Sequence, residues 1–94
     1  MPKSSSGTIR SIQPGPPFVL EVEVPGEGVR RLELPYHGGT TQALEVELQQ
    51  QSVEFFVENG RPTVFFYRPV TEDGEVEYVS KVCLNVELAR LSAP

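Results

Sequence analysis

The sequence holds few residues that could carry out covalent chemistry. It contains one histidine, His37, and one cysteine, Cys83, which could in principle act together as base and nucleophile. Cys83, however, stands between Val82 and Leu84 in an alternating apolar run, a pattern typical of a small strand residue rather than of a reactive thiol. No third residue is spaced to orient the histidine. We therefore predict that the protein is not an enzyme and has no catalytic residue.

The acidic residues and glycines offer no better site for a ligand. Three pairs of glutamates two residues apart recur along the chain: Glu21/Glu23, Glu45/Glu47 and Glu75/Glu77. On strands such pairs lie on one face and could hold a divalent cation, but a solvated face also favours glutamate, and we prefer that interpretation. Gly38 and Gly39 precede two threonines without the spacing of a phosphate-binding loop. We predict no metal and no cofactor.

The residues best suited to binding lie in two neighbouring runs, 53–57 and 63–67, each with two adjacent phenylalanines. Because side chains alternate between the faces of a strand, one phenylalanine of each pair must point away from the core. We expect four residues to form a partner-binding face: Phe56, Phe65, Tyr67 and Arg68. Such a face could be covered by the chain itself, contact another protein or stack single-stranded bases. Glu54 and Glu58 share it and disfavour nucleic acid.

The elements that position these residues are predicted from period-two alternation of apolar side chains. Strands are expected at residues 8–12, 18–24, 29–34, 43–48, 53–58, 63–68, 75–79 and 82–88. Two turn sequences, residues 25–28 and residues 59–62, join their flanking strands into hairpins; the second contains Asn-Gly, the strongest hairpin signal in the chain. Residues 43–48 also fit one turn of helix, and we favour a strand.

The C-terminal part of the chain has two interpretations. Residues 82–88 alternate out of phase with Val76 and Tyr78, which predicts a bulge near Ser80 and Lys81. Alternatively, residues 85–91 form a short helix with Asn85 as its N-cap.

If residues 75–79 and 82–88 form one bulged strand and residues 43–48 are either strand or helix, the chain has six or seven short strands. That number in 94 residues predicts an all-β fold, a small antiparallel barrel or curved meander. The barrel would be OB-like or, alternatively, SH3-like, with room for a short C-terminal helix. We predict one domain over residues 8–91, a flexible tail over residues 1–7 and a loose C-terminus over residues 92–94.

Composition narrows the classes of partner. The formal net charge is −5, which disfavours general affinity for phosphate backbones. No apolar run approaches the roughly 18 residues of a membrane span, and the N-terminus lacks the apolar stretch of a secretory signal. A single cysteine fits a reducing compartment. We expect a cytoplasmic protein that does not bind membranes.

Two short motifs resemble the cold-shock domain, a five-stranded OB-type barrel. Residues 7–10, Gly-Thr-Ile-Arg, are similar to the family's opening strand, and Val53-Glu54-Phe55 with the turn at residues 58–62 is similar to a later strand and turn. The resemblance implies the OB-type fold and single-stranded nucleic acid as ligand. The family's aromatic stacking strand would fall at residues 16–20, where Phe18 is the aromatic residue, and its third strand at residues 32–37.

We therefore expect a non-catalytic binding module whose partner is another protein, which docks on the aromatic face or adds a strand to an exposed edge. The alternative is weak binding of single-stranded nucleic acid by a cold-shock-like domain. Six residues would carry that alternative: Phe18, Tyr36, His37, Arg10, Arg30 and Arg31. Edge strands also permit dimerisation, and the sequence leaves the oligomeric state open.

Overall fold

The computed structural model describes residues 3–92, which form six strands and two helices. In chain order they are β1 (Ser5–Gln13), β2 (Phe18–Val24), β3 (Gly28–Leu34), α1 (Gln42–Leu48), β4 (Ser52–Glu58), β5 (Arg61–Glu72), β6 (Glu75–Cys83) and α2 (Leu84–Ser92). The strands make one sheet in the order β3-β2-β1-β4-β5-β6, and every neighbouring pair is antiparallel. The predicted all-β character and the C-terminal helix are confirmed. The sheet is not closed into a barrel.

The predicted hairpins form where the turn chemistry requires them. β2 and β3 pair without interruption from Phe18 opposite Leu34 to Val24 opposite Gly28. Between β4 and β5, Asn59 and Gly60 both have positive φ, 53° and 74°. A two-residue turn that matches the twist of its strands needs this conformation, and asparagine and glycine adopt it at least cost.

The core lies on one side of the sheet and includes one face of each helix. The inner face of β2 is buried as its alternation predicts: Phe18, Leu20, Val22 and Val24. From the helices, Leu44 and Leu48 of α1 and Leu84 and Leu88 of α2 join the same cluster. Each helical pair is spaced by four residues, so both members lie on one face of their helix.

Strand β1 links the two halves of the sheet. It pairs with β4 through Ser5 to Thr8 and with β2 from Thr8 onwards, with a register shift between Ile9 and Ser11. Gly7 lies at the crossing point, where an added Cβ atom would stand 2.5 Å from the Glu23 carbonyl oxygen. The predicted start of this strand at residue 8 is therefore too late: residues 5–7 belong to β1 rather than to a flexible tail. Residues 1–2 and 93–94 lie outside the described residues.

Residues 43–48 form a helix, so the predicted strand is wrong there. Apolar residues at positions 44, 46 and 48 fit both an alternating strand and a helix with spacing of four. The structure selects the helix because Leu44 and Leu48 are buried together, whereas Val46 is 71% exposed. The Thr41 hydroxyl donates to Glu45 at 2.7 Å and stabilises the first turn.

The chain after β6 is also helical, so the predicted strand over residues 82–88 is wrong beyond Cys83. The alternative of a C-terminal helix is correct, although Asn85 lies inside α2 rather than at its N-cap. The irregularity in β6 lies nearer the turn than predicted. Tyr78 pairs with Val70 and Val76 with Thr71, which leaves the intervening Glu77 without a partner on β5.

Asn85 completes the hydrogen bonding of β5 where β6 ends. β6 pairs with β5 only as far as Cys83, opposite Phe65. Beyond that point the Val64 amide donates to Asn85 Oδ1 at 3.0 Å, and Asn85 Nδ2 donates to the Pro62 carbonyl at 3.0 Å. One side-chain amide thus supplies a donor and an acceptor in place of a strand and fixes α2 to the sheet.

We predict that Asn85→Ala lowers the free energy of unfolding by about 1–3 kcal/mol, because it leaves a backbone donor and acceptor of β5 unpaired. Urea denaturation followed by circular dichroism measures this change. Val86→Ala is the matched control, since the Val86 side chain is exposed on the same helix. Equal stability of the two variants would show that the Asn85 contacts contribute nothing.

Candidate interaction surface

The outer face of β4 and β5 carries the aromatic residues that the alternation predicted. Phe55 and Phe66 are buried, and Phe56 and Phe65 lie half-buried on the opposite side of the sheet. The rings of Phe56 and Phe65 pack at a centroid distance of 6.3 Å. Tyr67 follows on the same face with 39% of its surface exposed. We call Phe56, Phe65 and Tyr67 the aromatic patch.

A polar network covers part of this patch. The Tyr67 hydroxyl donates to Glu54 at 2.7 Å, and Lys81 Nζ lies 3.1 Å from the same carboxylate. Lys81 Nζ also stands 4.8 Å from the centre of the Phe65 ring, within cation–π range. The hydrogen bonds from Tyr67 and then Lys81 lower the pKa of Glu54, and the same bond raises the pKa of Tyr67. The patch therefore combines exposed ring edges with charges that are already paired.

Arg68 does not belong to the aromatic patch, contrary to the prediction. It follows Tyr67 by one residue and so points to the inner side of the sheet, where its guanidinium stands 5.3 Å from the Phe66 ring centre. There it donates to both carboxylate oxygens of Glu47, at 2.7 and 2.9 Å, and lies 3.8 Å from Glu87. Arg68 therefore joins β5 to both helices and has a structural role.

A more exposed apolar surface lies further along the β5–β6 hairpin. Val76, Tyr78 and Val79 of β6 are 62%, 58% and 56% exposed. Within residues 3–92, β6 pairs with β5 alone, so these side chains stand on a strand with a free edge. We call this strand edge, with its three apolar side chains, the β6 edge.

The β6 edge was missed as a site although its strand was predicted. The sequence showed a strand over residues 75–79, but its position in the sheet depends on pairings distant in sequence. An apolar residue on a strand is normally interpreted as a core residue. Val76, Tyr78 and Val79 are instead exposed. The sequence did carry one signal for this edge: the alternating pattern is long on both sides of the turn at Asp73 and Gly74.

Two of the residues proposed for nucleic acid are part of the core. Phe18 and Tyr36 are buried and pack edge-to-face, with ring centroids 6.2 Å apart. Buried rings cannot stack on bases, so this part of the alternative site is wrong. His37 lies in the loop after β3, where its backbone amide donates to the Ser92 hydroxyl at the end of α2.

The three arginines of the alternative site are separated and paired. Arg10 binds the Glu23 carboxylate and Arg31 binds Glu33, both on the outer side of the sheet. Arg30 points the other way, with its guanidinium 5.6 Å from the centre of the Phe55 ring. The structure therefore does not bring these arginines onto one basic surface.

The single cysteine and the other possible metal ligands form no candidate metal centre within the described residues. Cys83 is half-buried at the end of β6, and its thiol lies 3.9 Å from Asn85 Oδ1. Within residues 3–92, histidine, cysteine, aspartate and glutamate side chains form no group of three that could hold a metal ion. In the same range, neither helix has the length and apolar character needed to cross a membrane.

Comparison with known proteins adds no assignment. No protein family, no curated protein and no solved structure matches this chain. The interpretation of the surfaces therefore depends on their own geometry.

We predict that Tyr67→Phe raises the pKa of Glu54 towards its ordinary value, because the variant removes the largest cause of the lowered pKa. The carboxyl carbon shift of Glu54, followed by NMR through an acid titration, measures this pKa. A lowered carboxylate pKa stabilises the fold above the unfolded-state pKa, and that stabilisation is lost as the pH falls through the folded-state value. Tyr67→Phe should therefore weaken the acid dependence of unfolding.

The matched control is Tyr78→Phe, which removes a hydroxyl from the exposed β6 edge and should leave the pKa of Glu54 where it is in the unmodified protein. Identical Glu54 titrations in all three proteins would show that the Tyr67 contact does not exist in solution.

Proposed function

We propose that the protein is a non-catalytic protein-binding module that receives its partner along the β6 edge. The observation that carries this proposal is the exposure of Val76, Tyr78 and Val79. Each is more than half exposed, and all three lie on β6, which pairs with β5 on one side and with no strand of residues 3–92 on the other. A free edge offers backbone donors and acceptors, and the side chains beside it offer apolar contact. Together they are what strand addition requires.

The hairpin that carries this edge extends beyond the rest of the sheet. β5 is twelve residues long, but β4 pairs with it only from Arg61 to Phe65. From Tyr67 to Glu72, β5 pairs with β6 alone. An isolated two-stranded hairpin is only marginally stable in water. A partner that packs on the ribbon beyond Arg68 would therefore bury apolar residues that are exposed there, Val76, Tyr78 and Val79.

The backbone groups that face the free edge can be identified from the ladder. Pro69 has no amide hydrogen and stands opposite Val79, which is consistent with a non-hydrogen-bonded pair. The Val64 amide points towards Asn85, away from β4. Backbone direction alternates along a strand, so the amides and carbonyls of the even-numbered residues of β5 point towards β6. The amides and carbonyls of Val79 and Lys81 then face outwards, where a partner strand can bind them.

The aromatic patch continues this surface. On the outer side of the sheet, Val79 stands opposite Pro69, and the adjacent pair is Lys81 opposite Tyr67. A partner strand added at the β6 edge would therefore reach Tyr67 with its own side chains. The β6 edge and the aromatic patch then act as one site.

We also propose that β1 to β5 are an OB-type barrel that stays open between β3 and β5. Support comes from the order β3-β2-β1-β4-β5, from α1 between β3 and β4, and from the close approach of β3 to β5. β1 pairs with β2 on one side and with β4 on the other, so it belongs to both halves of the sheet, as a partly open barrel of this kind requires. The hairpin partner β6 and helix α2 are additions to that plan.

The OB-type interpretation does not favour nucleic acid as the ligand. Barrels of this type bind oligonucleotides on the face of strands 2 and 3. In the fully described strands β2 and β3, the outer face carries Glu21, Glu23 and Glu33 and no aromatic ring. No ring is available on these two strands for base stacking, and Arg31, which lies on the same face, is paired with Glu33. Both observations support a protein partner.

The test is photo-crosslinking from the β6 edge, with benzoylphenylalanine in place of Tyr78, in cells that naturally contain the protein. We expect a defined protein adduct that Val79→Pro abolishes, because proline removes an outward-facing amide that β5 does not use. Val79→Thr keeps the amide and the branched side chain and should retain the adduct. The probe at Val46, exposed on α1, is the control site. Adducts that form equally from both sites, or that tolerate proline, would contradict the proposal.

We predict that short single-stranded DNA and RNA cause no saturable amide shifts in ¹⁵N-labelled protein at low salt. The rings of Phe18 and Tyr36 are buried and Arg10 and Arg31 are paired with carboxylates, so β2 and β3 offer no stacking surface. Saturable shifts along β2 and β3 that weaken as salt is added would instead establish the nucleic-acid function.

A further inference from the structure

We infer that the strand that occupies the β6 edge belongs to a second copy of this chain, paired antiparallel about a two-fold axis at Val79. This inference rests on the proposed function, because it names the occupant of the same edge. Three independent features of β6 lead to it: the middle of the strand, the direction of its backbone groups and the order of its charges.

The length of the strand sets the centre of such a pair. β6 runs for nine residues from Glu75 to Cys83, so its middle residue is Val79. If two copies pair along their whole length in opposite directions, Val79 lies opposite Val79 of the second copy. Any other register leaves residues at both ends unpaired.

The backbone directions agree with this centre. The amide and carbonyl of Val79 face away from β5, as the position of Pro69 opposite it indicates. Two such residues that meet at a two-fold axis exchange both hydrogen bonds and form a regular antiparallel pair. Tyr78 and Ser80, whose backbone groups bind β5, then fall at the non-hydrogen-bonded positions.

The charges agree as well. In this register Glu77 lies opposite Lys81 of the second copy. The two-fold axis generates a second, identical pair between Lys81 of the first copy and Glu77 of the second. Centring the pair on Glu77 or on Lys81 would instead place two like charges directly opposite each other, which is destabilising. The bulge leaves Glu77 without a partner on β5, so it is available to the second copy.

The pairing also covers apolar surface at the axis, where the two Val79 side chains meet. The contact is the same surface on both copies, so it closes after two chains and consumes the free β6 edge of each. A dimer formed in this way therefore removes the edge on which further chains could add.

Charge exchange tests this arrangement. Along a strand, residues 77 and 81 stand roughly 13 Å apart within one copy, so they cannot pair with each other there. We expect sedimentation velocity to show a concentration-dependent dimer for the unmodified protein. Glu77→Lys should raise the dimer dissociation constant by roughly tenfold, because two opposite-charge pairs become two like-charge pairs. Adding Lys81→Glu should restore the dimer.

Two controls make the outcomes decisive. Asp73→Lys makes the same charge change in the turn, outside the paired strand, and should leave the dimer intact. Glu75→Lys combined with Lys81→Glu should not restore the dimer, because Glu75 does not lie opposite Lys81 of the second copy. Lys81→Glu also removes the ion pair with Glu54, so thermal unfolding of each variant confirms that it is folded.

A protein that sediments as a monomer over the whole concentration range overturns self-pairing. If Tyr78 crosslinks that depend on Val79 then still capture a different protein, the proposed function stands without it. A dimer that tolerates Glu77→Lys, or that is restored through Glu75 rather than Glu77, overturns the register. Loss of both the dimer and the crosslinks overturns the inference and the proposed function together.

Discussion

The unequal lengths of neighbouring strands determine which backbone groups and side chains the sheet leaves exposed. β5 is twelve residues long, whereas β4 covers only its first five positions. Backbone groups of a strand need partners, and the chain supplies them from three sources: β4, β6 and the side chain of Asn85. Within residues 3–92, β6 has no strand on its far side, so backbone groups along the β6 edge have no partner from a neighbouring strand. The exposed apolar residues Val76, Tyr78 and Val79 lie on this strand.

The sequence predicted the features that depend on local chemistry. The Asn59-Gly60 turn and the alternation of β2 predicted a hairpin and a buried face correctly, because turn conformation and side-chain period are properties of short segments. Residues 43–48 were wrong because Leu44 and Leu48 satisfy both a strand and a helix, and only burial against the sheet distinguishes them. Arg68 was misplaced for a simpler reason: it neighbours Tyr67 in sequence, and neighbours on a strand face opposite ways.

Features that depend on distant pairings could not be predicted in this way. The role of Asn85 depends on β6 ending at Cys83, and the exposure of Val79 depends on β6 being the last strand of the sheet. The same limit applies to electrostatics. Alternation alone predicts that the neighbours Arg30 and Arg31 face opposite ways on β3, which counts against a shared basic surface. The pairing of Arg10 with Glu23, however, depends on the contact between β1 and β2. The pairing of these arginines supports the proposed protein partner over nucleic acid.

Amide hydrogen exchange along β6 tests the central claim most directly, because it reports on each backbone group of the edge separately. In dilute protein, the amides of Val79 and Lys81 should exchange rapidly, while those of Tyr78 and Ser80 are slowed by β5. As the protein concentration rises, the account predicts that exchange at Val79 and Lys81 slows selectively. Rapid exchange at both residues under every concentration, while protection appears on another surface, would contradict it.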